Sequence, residues 1–422
     1  MEEKVYWWNR RRPVFQLAMT PRKALTSESV LRDAQDFSLV LGGPLFQLLR
    51  RVHLSDDALT LLHHRVLVIA LLAWLPLLML STLQGNLLGG GVAVPFLYDI
   101  EVHVRFLVAV PLLIIAELVA HRRMRPIAQS FLERKIISEV AFERFDDAVS
   151  SALRLRNSVL AEVILLALVY VVGVVIIWRH FTALQAATWY ATPGPDGGST
   201  LSLAGMWYGY VSLPVFQFLL LRWYFRMFIW ARFLWQVSRI ELNLVPTHPD
   251  RLGGLGFLSN TVYAFAAVAM AHGAIVAGQI ANRILFLGAA LPNFKVEIGV
   301  MVAFLMCVVF GPLLFFSPQL SQAKRKGLLE YGTLAQRYVR EFDSKWLRGG
   351  APGDEPFVGS GDIQSLADLG NSYEVVKGMR FVPITRDALI QLAAAVLIPI
   401  APLALTMMPL EELLKQLFGL LF

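Results

Sequence analysis

A short polar stretch, residues 245–260 with the sequence VPTHPDRLGGLGFLSN, lies between two long apolar segments. It contains five candidate residues for binding an anion or an anionic lipid headgroup: His248, Asp250, Arg251, Gly253 and Gly254. Glycine amides near a helix N-terminus, assisted by cationic side chains, donate hydrogen bonds to phosphate or carboxylate. The stretch is therefore a candidate anion site.

The same residues also suit a turn between two helices. Pro246 and Pro249 would stop the preceding helix, and the glycines permit positive φ or a close backbone approach. Asp250 or Ser259 could then cap the next helix. We favour this structural interpretation and keep the anion site as its alternative.

The composition predicts that these residues belong to an integral membrane protein. The chain is 56% hydrophobic and only 16% charged, whereas a soluble domain has about 25% charged residues. Seven apolar segments are long enough to cross a bilayer core of about 30 Å: 65–83, 104–120, 159–178, 205–230, 258–281, 298–317 and 387–409. The predicted fold is an all-α, multi-pass transmembrane bundle.

Lys and Arg residues predict the orientation of the bundle. They number ten in 1–65, eight in 121–158, five in 222–251 and ten in 319–386, and only five elsewhere. Positively charged loops stay in the cytoplasm, so the N-terminus is predicted inside and the C-terminus outside a plasma (inner) membrane. The net charge of +7 suits anionic headgroups at the cytoplasmic face and gives no reason to expect nucleic acid.

Four regions follow from these spans. Residues 1–64 form a cytoplasmic N-terminal segment with interfacial helices, and 65–317 contain spans one to six with a helical cytoplasmic loop at 121–158. A cytoplasmic amphipathic helix and a flexible loop occupy 318–386. The seventh span and an interfacial tail complete the chain at 387–422.

Polar residues in and after the later spans are candidates for a permeation path. His272, Gln279 and Arg283 are seven and eleven residues apart, which places them on one helical face. Polar groups inside a span are costly, so this face is expected to meet other helices through hydrogen bonds or, alternatively, to line a hydrated path. Glu411 and Glu412 could form an acidic ring in a symmetric oligomer, or belong to an interfacial tail.

Two carboxylates near the inner ends of spans are predicted to form boundary ion pairs. Glu117 can pair with His121 one turn later, and Glu162 can pair with Arg154 or Arg222.

Arginines and aromatic residues crowd the end of the fourth span. Arg222, Arg226 and Arg232 are expected to anchor it, with their side chains extending outward to the headgroups. The outer segment 99–106 (DIEVHVRF) is expected to be strand-like or interfacial. Its metal-binding potential is weak because a third fixed ligand is missing.

Signatures of other functional classes are absent from the sequence. It contains no HExxH, P-loop, GxSxG or paired-cysteine motif, and no nucleic-acid-binding module, and it has one cysteine, Cys307. No cofactor or metal is expected. The favoured function is an oligomeric channel or transporter for an ion or small solute. The alternatives are a membrane sensor or scaffold that binds a cytoplasmic partner, and a lipid-acting membrane enzyme.

The charge distribution yields a topology test. A reporter fused after Phe422 should be accessible only from outside the cytoplasm, and one inserted in 350–360 only from inside. Protease protection in sealed vesicles measures both positions. Finding both reporters on one side would contradict the orientation.

Overall fold

The computed structural model describes residues 37–51, 61–89, 91–178, 187–193 and 199–407. The helices are α1 (Pro44–Arg51), α2 (Leu62–Leu83), α3 (Ile100–Glu133), α4 (Phe142–Arg156), α5 (Val159–Val174), α6 (Leu203–Val237), α7 (Leu255–Leu287), α8 (Leu291–Leu347), α9 (Gly361–Lys377) and α10 (Arg386–Leu397). Strands β1 (Ala191–Pro193) and β2 (Ser199–Leu201) form one short antiparallel pair.

Five helices, α2, α3, α6, α7 and α8, are long and apolar enough to cross a membrane. Two bent pairs also qualify when each is counted as one span. In the first, Glu139–Arg156 and Val159–Val174 meet at 48°, and in the second, α10 and the 3-10 segment Ala401–Met407 meet at 58°. The protein is an all-α, multi-pass helical bundle, which confirms the predicted fold class.

Prolines determine where two of the spans change their winding. A π-helical turn, Arg105–Ala109, lies two residues before Pro111 in α3. A second π-helical turn, Tyr208–Ser212, lies two residues before Pro214 in α6. Proline has no N–H to donate to the preceding turn, and a widened turn accommodates the loss without ending the helix. Both helices therefore continue across their prolines.

Helix α7 occupies the centre of the bundle. In its most apolar stretch 72% of the residues are buried, against 22% for the corresponding stretches of α2 and α8. It packs mainly against α3 and α10. At the crossing with α10, a Cβ on Gly273 would collide with the carbonyl oxygen of Val396, so only glycine permits this approach.

Helix α8 is far longer than a membrane crossing requires. Its 57 residues span about 85 Å at 1.5 Å per residue, compared with about 30 Å for a bilayer core. The distal part packs against α9. Lys345 stabilises the connection between α8 and α9, since its Nζ lies 2.6 Å from Glu355 Oε1 and 2.9 Å from Asp362 Oδ2. The amphipathic helix predicted after the sixth span is thus continuous with that span.

Candidate functional site

The carboxylate of Asp250 organises the polar stretch between α6 and α7. Its Oδ1 accepts hydrogen bonds from the amides of Leu252 at 2.7 Å and Gly254 at 3.2 Å, and its Oδ2 accepts one from Gly256 at 2.9 Å. His248 Nδ1 lies 2.9 Å from Oδ1. Burial alone would raise the pKa of Asp250, but these amides and His248 outweigh it and hold the pKa below its usual value.

A residue far along the chain, Arg380, also stabilises this turn. Arg251, Gly253 and Gly254 have φ of 55°, 61° and 98°. The carbonyl of Arg251 accepts the amide N–H of Arg380 at 2.8 Å, and Arg380 Nη2 donates to the carbonyl of Asp250 at 3.2 Å. Backbone amides suited to an external anion are therefore engaged by the chain's own carboxylate. A headgroup role for the half-buried His248 and the exposed Arg251 stays a prediction.

The predicted polar face of α7 divides into a buried part and an exposed part. His272 is 3% exposed; its Nδ1 donates to the carbonyl of Val268 at 2.7 Å, and its Nε2 shares a hydrogen bond of 2.6 Å with the hydroxyl of Tyr224. Because a carbonyl oxygen can only accept, this pattern requires a proton on Nδ1. Gln279 is exposed, and Arg283 pairs with Glu297 at 3.0 Å. Glu411 and Glu412 lie outside the described residues.

A buried ion cluster lies where α2, α3 and α6 meet. Glu117 Oε2 is 2.5 Å from Arg65 Nη1, and Glu117 Oε1 is 2.7 Å from Arg226 Nη2. Arg222 Nη1 is 3.7 Å from the same Oε1. All four residues are at most 6% exposed. Burying an ion is costly unless it is paired, so Glu117 is what permits three arginines to lie inside the bundle.

A second carboxylate extends the cluster to α5 and α1. Glu162 Oε1 lies 3.4 Å from Arg222 Nη2, and its Oε2 accepts the amide N–H of Leu45 at 2.7 Å. We call the five charged residues Arg65, Glu117, Glu162, Arg222 and Arg226 the arginine cluster. It combines three cations with two anions and therefore carries one excess positive charge.

Of three expectations about these residues, two need correction. His121 hydrogen-bonds Ser38 Oγ at 3.0 Å rather than Glu117. Arg222 and Arg226 turn inward to carboxylates instead of extending to the headgroups, because a paired buried site is available to them. The expected pair between Glu162 and Arg222 is present.

The outer segment 99–106 is helical, which corrects the strand-like expectation. Asp99 begins this helix, because its Oδ1 accepts the amide of Val102 at 3.2 Å. The same carboxylate binds Asn282 Nδ2 and Trp189 Nε1, each at 2.8 Å. Arg105 bonds Glu101 and the hydroxyl of Tyr208. No group of three or more potential metal ligands occurs in the described parts of the chain.

Within the arginine cluster, Arg65 has hydrogen-bond donors that lack a partner among the described residues. The residue is 1% exposed, and its Nη1 is committed to Glu117. Its Nε and Nη2 are buried and have no hydrogen-bond partner among the described residues. A buried donor without a hydrogen bond costs folding free energy, and the cost is larger when the donor belongs to a charged group. An acceptor from outside the chain would relieve this cost.

Spacing contained a signal for part of this cluster. Arg222 and Arg226 are four residues apart inside an apolar span, so they share a helix face and need a common anionic partner. Arg65 gave no comparable signal, because it stands at the charged beginning of the first span and resembles an ordinary boundary residue.

Asp250 should make stability sensitive to acid. An unfolded Asp has a pKa of about 3.9 and the folded value is lower, so the stabilisation is complete above about pH 4 and is lost as the pH falls through the folded value. Asp250→Asn should reduce the unfolding free energy by about 2 kcal/mol at neutral pH and remove this acid dependence. Unfolding curves at several pH values measure both effects. Asp354→Asn, in an exposed loop, is the control, and equal behaviour of the two variants would contradict the assignment.

Glu117 should be essential to the bundle. Glu117→Gln leaves three buried arginines without their shared carboxylate and should destabilise the protein by about 3–5 kcal/mol. Glu297→Gln removes only an exposed pair and should cost less than about 1 kcal/mol. Thermal unfolding of the two purified variants tests this ranking. A Glu117→Gln protein as stable as the control would show that the arginines are not held by this carboxylate.

Comparison with known proteins leaves the chain without a matched relative. No protein-family model, no curated protein and no solved structure matches it. The function is therefore inferred from the arrangement of the chain's own residues.

Proposed function

We propose that this integral membrane protein is a transporter that binds an anion at the arginine cluster. The observation that carries the proposal is the unequal charge of the cluster, with three arginines against Glu117 and Glu162. Arg65 also retains unpartnered donors among the described residues. Ionisable groups inside membrane spans mark substrate or ion pathways more often than they serve structure alone.

Irregular backbone next to the cluster supports the proposal. Helix α5 starts directly after the 48° bend and has Glu162 in its first turn. Its last part belongs to a π-helical segment, Val169–Trp178. Bent spans and π-helical segments concentrate at functional sites, and transporters bind substrate at discontinuous helices. The broken pair of α10 and Ala401–Met407 adds a second discontinuity. Homo-oligomeric assembly and a plasma-membrane location are further parts of this proposal.

A second candidate function is a sensor or scaffold that binds a cytoplasmic partner. A cavity of about 1020 Å³ lies between α8, the start of α4 and the segment after α6. Its charged lining residues are of both signs: Arg144, Arg239, Glu241, Lys326 and Glu330. This surface could hold a polar peptide. The arginine cluster favours transport, because a scaffold has no need of excess charge buried among its spans.

Flux measurements on purified protein in liposomes test the anion proposal. Chloride, phosphate and acetate are offered separately, with potassium as the cation control. Wild-type protein should carry at least one of the anions and should not carry potassium. Transport of potassium alone, or no flux above empty liposomes, would overturn the proposal.

Charge variants connect the flux to the cluster. Arg222→Gln makes the cluster neutral and should reduce anion flux at least about tenfold, because a unit charge at ~4 Å contributes about 4 kcal/mol at an effective dielectric constant of ~20. Arg222→Gln with Glu162→Gln removes the same arginine but keeps the excess charge, so it should retain more flux. Equal flux in both variants, at equal amounts of folded protein, would disconnect transport from the charge of the cluster.

A further inference from the structure

A lateral cavity meets the arginine cluster at Arg65. It has a volume of about 230 Å³ and lies between α2, α5 and α6, with Leu45 of α1 at one side. Among the described residues, Arg65 is the one charged residue in its lining. Apolar side chains make up most of the remainder: Ile69, Leu72, Leu166, Val215, Phe218 and Leu219.

The rim of this cavity faces the surroundings of the bundle. Leu72 is 50% exposed and belongs to a helix that is long and apolar enough to cross a membrane. Leu166 is 48% exposed and belongs to one arm of a bent pair that qualifies as a single span. In a helix that crosses a bilayer, an exposed apolar surface of this kind faces lipid. A ligand could therefore enter sideways from the bilayer, without crossing the polar surfaces of the protein.

The unpartnered atoms of Arg65 have a defined chemical preference. Nε–H and one Nη2–H point in parallel from a single edge of the planar guanidinium, and these are the two nitrogens without partners among the described residues. Such an edge matches the two oxygens of a carboxylate, with two parallel hydrogen bonds. The other terminal nitrogen, Nη1, already binds Glu117.

The size and lining of the cavity select the rest of the ligand. Sites for drug-sized ligands have volumes of about 300–1,000 Å³, so a cavity of about 230 Å³ accommodates only part of one. Apart from Arg65 and Tyr170 its walls are apolar, so they suit a single hydrocarbon chain better than a hydrated inorganic ion. A carboxylate at the end of one chain satisfies both the walls and Arg65.

We propose that this cavity binds a long-chain carboxylate taken from the bilayer, with its carboxylate on the Nε–Nη2 edge of Arg65 and its chain against α2, α5 and α6. The inference rests on the proposed function, since it names the ligand class of the same cluster. The bound carboxylate would supply the negative charge that the arginine cluster lacks, and would satisfy the donors that Arg65 keeps.

Binding of radiolabelled ligands to immobilised, detergent-solubilised full-length protein tests the inference. The probes are palmitate, hexadecanol and acetate, which separate the contributions of chain and carboxylate. Palmitate should bind at least about tenfold more tightly than hexadecanol, which has the chain without the charge. It should also bind at least about tenfold more tightly than acetate, which has the charge without the chain.

Matched variants locate the site. Leu72→Trp narrows the mouth of the cavity and should weaken palmitate binding at least about tenfold, while Leu67→Trp places the same bulk on the same helix away from the cavity and should leave binding unchanged. Arg65→Lys keeps the charge but removes the planar edge, and should also weaken binding at least about tenfold. Monodisperse elution of each variant establishes that it is folded.

Four outcomes would overturn the inference. Equal binding of palmitate and hexadecanol would exclude the carboxylate contact with Arg65. Palmitate binding unaffected by Leu72→Trp would place the ligand elsewhere. Acetate binding as tightly as palmitate would show that the cluster takes a small free anion, in which case the proposed anion transport stands while the long-chain ligand does not. If no probe binds, the long-chain ligand is rejected, and the flux measurement in liposomes decides on transport separately.

Discussion

The negative charge of Glu117 is the interaction on which the bundle depends. Three arginines from two other helices approach this one carboxylate in an interior from which water is excluded. Each unpaired ion in such a place would cost several kcal/mol, so the helices can pack as they do only if Glu117 is ionised and central. Glu162 then joins α5 and the beginning of α1 to the same centre.

This electrostatic centre and the apolar packing of α7 have different roles. Helix α7 is held by close contact, with Gly273 against α10 and with His272 bonded to Tyr224 of α6. Contacts of this kind specify distance but carry no charge. The arginine cluster lies where α2, α3 and α6 meet, and Arg65 places it next to the lateral cavity.

The sequence was informative wherever the determining forces are local. Apolar length predicted seven membrane segments, because every backbone group in lipid must be bonded within its own helix. The structure has five helices that are long and apolar enough to cross a membrane, and two bent pairs that would bring the number to seven. The position of Glu162 near the inner end of its span indicated a possible pair with Arg222, and the structure shows that pair. The pairing of Arg65 with Glu117 spans 52 positions in the chain and depends on how α2 packs on α3, for which no local pattern exists. Proximity in sequence suggested His121 as the partner of Glu117, but the buried arginines outcompeted it.

Three buried or half-buried carboxylates show why the arginine cluster, and not another polar site, is the place to expect a ligand. Asp99 is bonded by Val102, Trp189 and Asn282, and Asp250 is bonded by three amides and His248. In both sites the carboxylate oxygens already accept hydrogen bonds from the chain's own donors, so neither site needs a ligand. At Glu117 the balance is reversed, because among the described residues the donors and the positive charge exceed what two carboxylates accept. A site with surplus donors beside an apolar cavity has the chemistry to accept an anion, which is the basis of the proposed ligand.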